Sequence, residues 1–154
     1  MSAFGYLSSR FDCYIEQTAP IQGETLTTAA LPVGGRVYGF LVEILEKTNG
    51  GGPAQTLVIS IVRDGVASDI TGGGSPYNFS GASALSPTAF PSRQAIGGLV
   101  SLEPNGAVSL TFAAGDQFRI TTAGGAGDTS RLRVHFLCVA SDANLTQMAV
   151  TSTA

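Results

Sequence analysis

Charged residues are scarce in this chain of 154 residues. Asp, Glu, Lys and Arg make up 12% of it, against roughly 25% in an average soluble domain. Eight Lys plus Arg against eleven Asp plus Glu give a formal net charge of −3, so there is no basic footprint that would predict nucleic-acid binding. The surface must instead consist largely of Ser, Thr, Gly and Ala, which is common where a surface is covered by partners.

Long apolar runs are also lacking. The longest, "VYGFLV" and "TLVISIV", are the size of strands, whereas a membrane-spanning helix needs about 20 residues. The N-terminus, "MSAFGYLSSRFDCY", has neither the basic start nor the continuous apolar core of a signal peptide. We therefore expect synthesis in the cytoplasm, no export by the signal-peptide route and no membrane partner.

Side chains suited to catalysis are few. His135 is the only histidine, so any Ser-His-Asp or Cys-His device must use it. It lies on the same side of a predicted strand as Arg131 and Arg133, and we expect these positive neighbours to disfavour its charged form and make it a poor base. The sequence therefore predicts no enzyme, no catalytic residue and no cofactor.

Cys13 and Cys138 are the only cysteines, in "DCYI" and "HFLCV". Neither has a Cys-x-x-Cys partner or an adjacent Lys or Arg that would activate a thiol. A disulfide between the two ends is one alternative, but the cytoplasm disfavours it. The expectation is two small buried hydrophobic side chains.

Strand patterns fill most of the chain from residue 36 onward. "RLRVHFLCV" alternates Leu132, Val134, Phe136 and Cys138 with more polar residues, a period of two that indicates a half-buried strand. "TLVISIVRDGVASDI" contains Asp64-Gly65 between apolar runs, which predicts a tight hairpin. No helix is predicted, and turns recur every 8 to 12 residues or so, as in sandwiches. The predicted fold is all-β: an antiparallel β-sandwich, an eight-stranded jelly roll spanning residues 21–154 as a single domain.

"RVYGFLVEILEK" is ambiguous, because its apolar residues also fit helical spacing. Gly39 and the β-branched and aromatic content favour a strand. As a regular strand it places Tyr38, Phe40, Val42 and Ile44 on one side and Val37, Leu41 and Leu45 on the other. Such a strand is apolar on both faces and needs a cover on its outer side.

"VSLTFAAGDQFRITTAGGAGD", residues 108 to 128, contains ingredients of metal and phosphate sites. It lacks the Gly-Lys-Ser/Thr ending of a phosphate-binding loop. Turn chemistry explains Gly115-Asp116, since Gly permits the unusual backbone angle and Asp caps its own turn. A calcium site would have to draw on loop carboxylates without an Asp-x-Asp motif, so we predict no metal site; the candidate ligands are Asp116, Asp128 and Asp142.

Two segments carry the candidate binding residues. Residues 1–20 are an N-terminal arm or the first strand of the sheet, and as an arm they would reach a neighbouring subunit; the candidate assembly interface is Phe4, Tyr6, Phe11 and Tyr14. The irregular stretch 71–98 is rich in Gly, Ser and Pro, and long ordered loops are usually functional. Its rings offer an alternative surface for stacking a glycan: Tyr77, Phe79 and Phe90.

The run "AVSLTFAAGDQFRI" resembles the strand-turn-strand near the end of jelly rolls of the C1q and tumour-necrosis-factor type. This resemblance implies a homotrimer whose flat sheets pack around a threefold axis. With its low charge, its Gly, Ser, Thr and Ala and its lack of an export signal, the chain is similar in kind to small structural proteins of tailed bacteriophages. That likeness implies a capsid decoration (cement) protein at the virion surface that binds the major capsid protein or another virion protein. The alternative is a receptor- or glycan-binding module of a phage fibre or tail.

Overall fold

The computed structural model describes residues 10–19, 23–47, 56–71, 77–78, 99–102, 109–123 and 130–141. These residues form ten strands and no helix, and hence no helix that could cross a membrane. The strands are β1 (Arg10–Glu16), β2 (Glu24–Thr27), β3 (Gly35–Lys47), β4 (Thr56–Arg63), β5 (Val66–Asp69), β6 (Tyr77–Asn78), β7 (Leu99–Leu102), β8 (Thr111–Phe112), β9 (Gln117–Ala123) and β10 (Ser130–Ala140).

The strands pair into two antiparallel sheets. Sheet 1 has the order β1-β10-β3-β7, with the two-residue β8 also paired to β3. Sheet 2 has the order β2-β9-β4-β5, with the two-residue β6 also paired to β4. Eight strands thus make the two four-strand paths, and the predicted eight-stranded antiparallel jelly roll is confirmed.

Phenylalanine rings join the two sheets. Phe118 of β9 stacks on Phe136 of β10, with centroids 4.4 Å apart and planes 3° from parallel. Phe112 lies edge-on to Phe118, and Phe40 lies edge-on to Phe136. Offset and edge-on ring pairs contribute beyond the apolar area that they bury, so this chain of rings is the centre of the core.

The inward side of β10 is the one that the sequence predicts, and β9 shows the same alternation. Leu132, Val134, Phe136 and Cys138 are fully buried, as is Phe118, and Ile120 is almost so. Their neighbours on the opposite side remain partly exposed. A period of two translates directly into two sides of a strand because successive side chains point in opposite directions.

β3 is a strand, but its predicted sides are wrong at the start. Val37 and Phe40 are both fully buried, whereas Tyr38 is 49% exposed. The register explains the difference, since Val37 pairs with Cys138 and Gly39 with Leu137, which leaves Tyr38 as an extra residue in a β-bulge. The bulge shifts the alternation by one residue, so Val37 joins Phe40 and Val42 in the core.

Both predicted turns are present. Asp64 and Gly65 have φ angles of 50° and 81° and connect β4 to β5, as a two-residue hairpin turn of this kind requires. Gly115 has a φ of 96°. The Asp116 carboxylate accepts a 2.8 Å hydrogen bond from the Ala113 amide, and so caps the turn between β8 and β9.

β1 pairs with β10 from Arg10, opposite Val139, to Glu16, opposite Arg133. Its inward side chains, Phe11, Cys13 and Ile15, pack in or against the core. Residues 10–16 of the N-terminal segment thus form the edge strand of sheet 1, held by a complete ladder and by apolar contacts.

Candidate interaction face

The outer side of sheet 1 carries most of the features that suggest binding, and we refer to it as the sheet-1 face. Because a β-strand sends alternate side chains to opposite sides, the residues between the core positions of β1, β10 and β3 all point outward. The sheet-1 face consists of Arg10, Asp12, Tyr14, Glu16, Arg36, Tyr38, Leu41, Glu43, Arg131, Arg133, His135, Leu137 and Val139.

Strand register arranges these side chains in rows across the face. Glu16, Arg133 and Glu43 lie opposite one another on β1, β10 and β3. Tyr14, His135 and Leu41 form the next row. Directly opposite residues have their Cβ atoms about 5 Å apart, so the ladder alone brings together groups more than 80 positions apart in the sequence.

The first row is an ion-pair network. Arg133 donates two hydrogen bonds to Glu16 Oε2, at 2.9 and 2.7 Å, and one to Glu43 Oε2 at 2.9 Å. Arg131 adds a 3.2 Å bond to Glu16 Oε1. The pairing with Glu16 raises the pKa of Arg133 above its usual value. The side chains of Glu16, Glu43 and Arg133 are only 22–31% exposed, so the charges are partly dehydrated within a mutually neutralising array.

His135 lies between two carboxylates. Its Nδ1 is 3.2 Å from Asp12 Oδ2, and its Nε2 is 3.8 Å from Glu43 Oε2. The expectation of a purely positive environment is wrong, because it considered only Arg131 and Arg133 on the same strand. Neighbouring strands supply the acidic groups, Asp12 from β1 and Glu43 from β3.

Two tyrosines project from the sheet-1 face. Tyr14 is 58% and Tyr38 49% exposed. The Arg133 guanidinium carbon lies 5.3 Å from the centroid of the Tyr14 ring, and the His135 ring lies 5.7 Å away. Contact with a cation stabilises an aromatic ring electrostatically, so Tyr14 is held in place on the sheet while more than half of its surface stays open.

The four residues of the candidate assembly interface have different positions. Tyr14 is on the sheet-1 face. Phe11 points to the other side of β1, where it packs against the core edge-on to Phe112, with ring centroids 6.0 Å apart. Phe4 and Tyr6 lie outside the described residues. Only Tyr14 is therefore both described and accessible to a partner.

The candidate glycan surface is not brought together by the described residues. Tyr77 begins the short strand β6, where it pairs with Leu57. Phe79 and Phe90 lie outside the described part of the chain. The glycan-binding alternative stays a prediction from the sequence.

Asp116, one of the candidate calcium ligands, is occupied by protein groups. Its carboxylate accepts three hydrogen bonds from Arg63, the shortest 2.6 Å, besides the one from Ala113. The Arg63 hydrogen bonds, and then the Ala113 amide, lower the pKa of Asp116 against the opposing effect of burial. Asp128 and Asp142 lie outside the described residues, and within the described ranges no three His, Cys, Asp or Glu residues are placed to hold a metal ion.

The two cysteines are neighbours, which the sequence did not reveal. Phe11 pairs with Cys138 and Cys13 with Phe136, so the cysteines are diagonal neighbours on the inner side of adjacent strands. Both are free thiols; Cys138 is fully buried and Cys13 partly so. A hydrogen bond between them lowers the pKa of Cys13 and, together with burial, raises that of Cys138.

Sequence reasoning missed a second kind of residue, the buried polar bridge. Gln17 is 1% exposed, accepts a 2.9 Å hydrogen bond from the Leu132 amide of sheet 1, and donates one of 3.4 Å to Thr122 Oγ1 of sheet 2. Nothing in the sequence around Gln17 predicts this role.

The sequence did contain a signal for the outward residues of β1 on the sheet-1 face. In "RFDCYIE", Asp12, Tyr14 and Glu16 alternate with Phe11, Cys13 and Ile15.

No protein-family model and no curated protein matches this chain. What the sheet-1 face can do must therefore be inferred from its own chemistry. It offers two exposed aromatic rings, two leucines and paired charges of both signs on a sheet surface, a combination suited to contact with another protein surface.

Proposed function

We propose that this chain is a non-enzymatic structural protein of a bacteriophage virion, a capsid decoration (cement) protein. In this proposal it assembles as a homotrimer through the sheet-1 face and binds the shell formed by the major capsid protein, bridging its capsomers. Assembly takes place in the host cytoplasm, and the protein then resides at the virion surface.

The observation that carries the proposal is the position of Tyr14 and Tyr38. They are two of the three large apolar side chains that are well exposed among the described residues, and both lie on the sheet-1 face. Tyrosines are enriched at protein interfaces because they combine a large apolar area with a polar end. The low charge of the chain and its jelly-roll fold support the same interpretation.

We propose that a second copy of the chain binds this face, because the face carries carboxylates and guanidinium groups that can pair between copies. Glu16 and Glu43 flank Arg133 in a single row. Around a threefold axis the carboxylates of one copy can lie beside the guanidinium groups of the next, so the contact need not leave a charge buried without a partner.

Binding to the shell is assigned to the segment before β1, which includes Phe4 and Tyr6. A deletion of residues 1–14 would also remove part of the fold. Such a deletion removes five of the seven residues of β1, including the core contacts of Phe11 and Cys13. Deletion of residues 1–9 is the appropriate test, because it ends before the strand begins.

The test of self-association is the solution mass measured by light scattering on a sizing column. We expect a trimer for the unchanged protein and a lower mass, or a weaker association constant, for Tyr14→Ser. Val66→Ser is the matched control, since Val66 is 68% exposed but belongs to β5 of sheet 2. A monomeric unchanged protein, or an equal effect of both variants, would contradict the assignment of this face.

The test of shell binding is co-sedimentation with empty shells assembled from the major capsid protein encoded in the same genome. We expect the full chain to sediment with the shells and the chain lacking residues 1–9 to remain in solution as a folded trimer. Co-sedimentation of the shortened chain would contradict the assignment of the anchor. Failure of the full chain to bind any shell would contradict the decoration role.

A further inference from the structure

The outer edge of β1 is open among the described residues. β1 ends the strand order of sheet 1, and no described strand pairs with its other side. It has seven residues, whereas the other terminal strands of the two sheets, β7, β2 and β5, have four each. Its sequence has no proline or lysine and its ladder no bulge, devices that commonly protect an edge from pairing. β1 is therefore the longest template for strand addition in the described part of the chain.

The hydrogen bonds of the ladder show which residues of β1 face this edge. The Gln17 amide donates to the Leu132 carbonyl at 3.0 Å, one position beyond the register pair of Glu16 and Arg133. Along an antiparallel strand, residues alternate between bonding to the partner strand and directing their amide and carbonyl away from it. The free amides and carbonyls are therefore those of the even-numbered residues of Arg10–Glu16.

We propose that two copies of the chain pair edge to edge through β1, antiparallel around a twofold axis, so that sheet 1 of one copy continues into sheet 1 of the other. Cys13 lies opposite the partner's Cys13 at the centre of this contact. The inference goes beyond the proposed function, because it uses the edge of the sheet rather than its outer face and links one assembly to the next.

Charge selects this register. Backbone bonding requires even-numbered residues to face even-numbered ones. The next register on one side places Asp12 opposite the partner's Asp12, and the next on the other side places it opposite the partner's Glu16. Both set like charges directly against each other, which destabilises a strand pair. The register centred on Cys13 instead places Arg10 opposite the partner's Glu16, twice by symmetry, and it alone pairs the whole of β1.

Arg10 and Glu16 are both available for this pair. Arg10 is exposed, and no described residue forms a hydrogen bond or ion pair with its side chain. Glu16 accepts three hydrogen bonds from Arg131 and Arg133, and a carboxylate has about four acceptor sites. Its side chain is also 30% exposed, so a guanidinium group of the partner can reach it.

The inner side of β1 adds apolar contacts in the same register. Phe11 and Cys13 pack against the core but are only partly buried, since β1 has a described neighbour on one side only. The proposed pairing places Phe11 opposite the partner's Ile15. The partner strand thus covers apolar surface that the single chain leaves in water, which favours association.

Cys13 makes the contact measurable by cross-linking. The odd-numbered residues form the non-hydrogen-bonded pairs of the proposed ladder, in which opposite Cα atoms are about 4.5 Å apart, a separation that a disulfide can span. The azo compound diamide takes up two thiol hydrogens, and is reduced to a hydrazine, as two sulfurs join. The full chain with Cys138→Ala leaves Cys13 no thiol partner within its own chain. We expect a covalent dimer whose peptide map joins Cys13 of two chains.

Asp12→Pro separates strand pairing from random collision. The Asp12 amide points away from β10, so proline leaves the β1–β10 ladder intact and removes a hydrogen that the partner strand would accept. Asp12→Asn removes the same charge but keeps the amide. We expect clearly less cross-linked dimer for Asp12→Pro than for Asp12→Asn. Equal amounts would overturn the edge contact.

A charge reversal tests the register without oxidation. Arg10→Glu turns both end pairs repulsive and should lower the association constant of the reduced protein by about tenfold, measured by sedimentation velocity. Arg119→Glu on sheet 2 is the matched control and should have a much smaller effect. Equal constants for the unchanged protein and Arg10→Glu would overturn the proposed register, and this comparison carries the test if Cys138→Ala does not fold.

The outcomes distinguish this inference from the proposed function. Absence of the Cys13 cross-link from a folded trimer overturns the edge contact and leaves the contact through the sheet-1 face standing. A cross-linked dimer from a protein that forms no trimer does the reverse. Tyr38→Ser, which changes the face but not the edge, should weaken the trimer and retain the cross-link. Unfolding curves of Cys138→Ala and Asp12→Pro show whether a lost cross-link reflects a lost fold.

Discussion

The outer sides of the two sheets differ sharply in chemistry although they cover the same core. The sheet-1 face has two exposed tyrosines and an ion-pair network centred on Arg133. The outer side of sheet 2 is lined with threonines, among them Thr25 and Thr121, whose hydroxyl oxygens lie 3.3 Å apart. Arg119 donates there to Thr27 Oγ1 at 3.3 Å, and no described residue on that side forms an ion pair.

This difference shows how a chain with little charge uses the charge that it has. Hydroxyl groups are adequate for a surface that faces water, because they are hydrated and make local hydrogen bonds. Paired carboxylates and guanidinium groups on half-exposed positions are specific in geometry and sign, which a surface in contact with another protein needs and a merely soluble one does not. The sheet-1 face is proposed as the interface on this specificity, which differs from the expectation that a surface poor in charge is the covered one.

The largest loss of stability is expected in the core between the two sheets, because both sheets depend on it. Phe118→Ala removes a fully buried ring that stacks on Phe136 and contacts Phe112. We expect a loss of about 3–5 kcal/mol in the free energy of unfolding, measured by urea denaturation. Phe118→Leu is the control and should cost less, since it retains much of the buried volume. A loss below about 1 kcal/mol for Phe118→Ala would show that the stacked rings are not the centre of the core.

An intermediate loss of stability is expected at the turn between β8 of sheet 1 and β9 of sheet 2. Asp116→Asn weakens the bonds from Arg63 on β4 to the turn between β8 and β9, and we expect a loss of about 1 kcal/mol at neutral pH, reduced by the exposure of Arg63 to water. The pKa of Asp116 is lowered in the folded protein. Its contribution is therefore complete above the unfolded value near pH 4 and is lost as the pH falls through the lower folded value.

Urea denaturation between neutral pH and about pH 2 tests this sign, since the relevant range lies below the ordinary aspartate value. The unchanged protein should lose stability with acid more steeply than Asp116→Asn in that range. Parallel curves for the two proteins would mean that Asp116 titrates as it does in the unfolded chain.

The smallest loss of stability is expected when one arginine is replaced on the outer side of each sheet. Arg133→Met leaves Glu16 and Glu43 half-buried on the same row without their shared cation, whereas Arg119→Met on sheet 2 removes only a bond to Thr27. We expect the urea midpoint to fall further for Arg133→Met, and the difference to shrink in high salt, which screens the repulsion between the carboxylates. Equal midpoints would contradict a stabilising role for the network.

Much of the fold follows from local sequence signals. The alternation in "RLRVHFLCV" indicated the buried side of β10, and Asp64-Gly65 indicated the β4–β5 hairpin. These signals are reliable because strand period and positive φ angles are properties of single residues and their immediate neighbours. β3 departs from its predicted sides because the bulge at Tyr38 is set by the pairing with β10 and not by β3 alone.

The candidate site was less accessible to such reasoning. The sequence identified His135 and Tyr14 separately, for different reasons, and gave His135 a positive environment. Their contact, and the carboxylates of Asp12 and Glu43 on either side of the ring, depend on β1 and β3 pairing with opposite edges of β10. Sequence separations of more than 90 and 120 positions in these two acid–histidine pairs leave no local trace.

The amino-acid sequence by itself determined an all-β chain with little charge, the inward sides of its clearest strands and the positions of its tight turns, because these follow from side-chain period and backbone preference. Only the tertiary structure decided that β1 is an edge strand, that the two cysteines are neighbours, and that the carboxylates of Asp12 and Glu43 flank one histidine. Strand order and register cause these juxtapositions, and both are fixed by packing two sheets on one core, a property of the whole chain that no short segment carries.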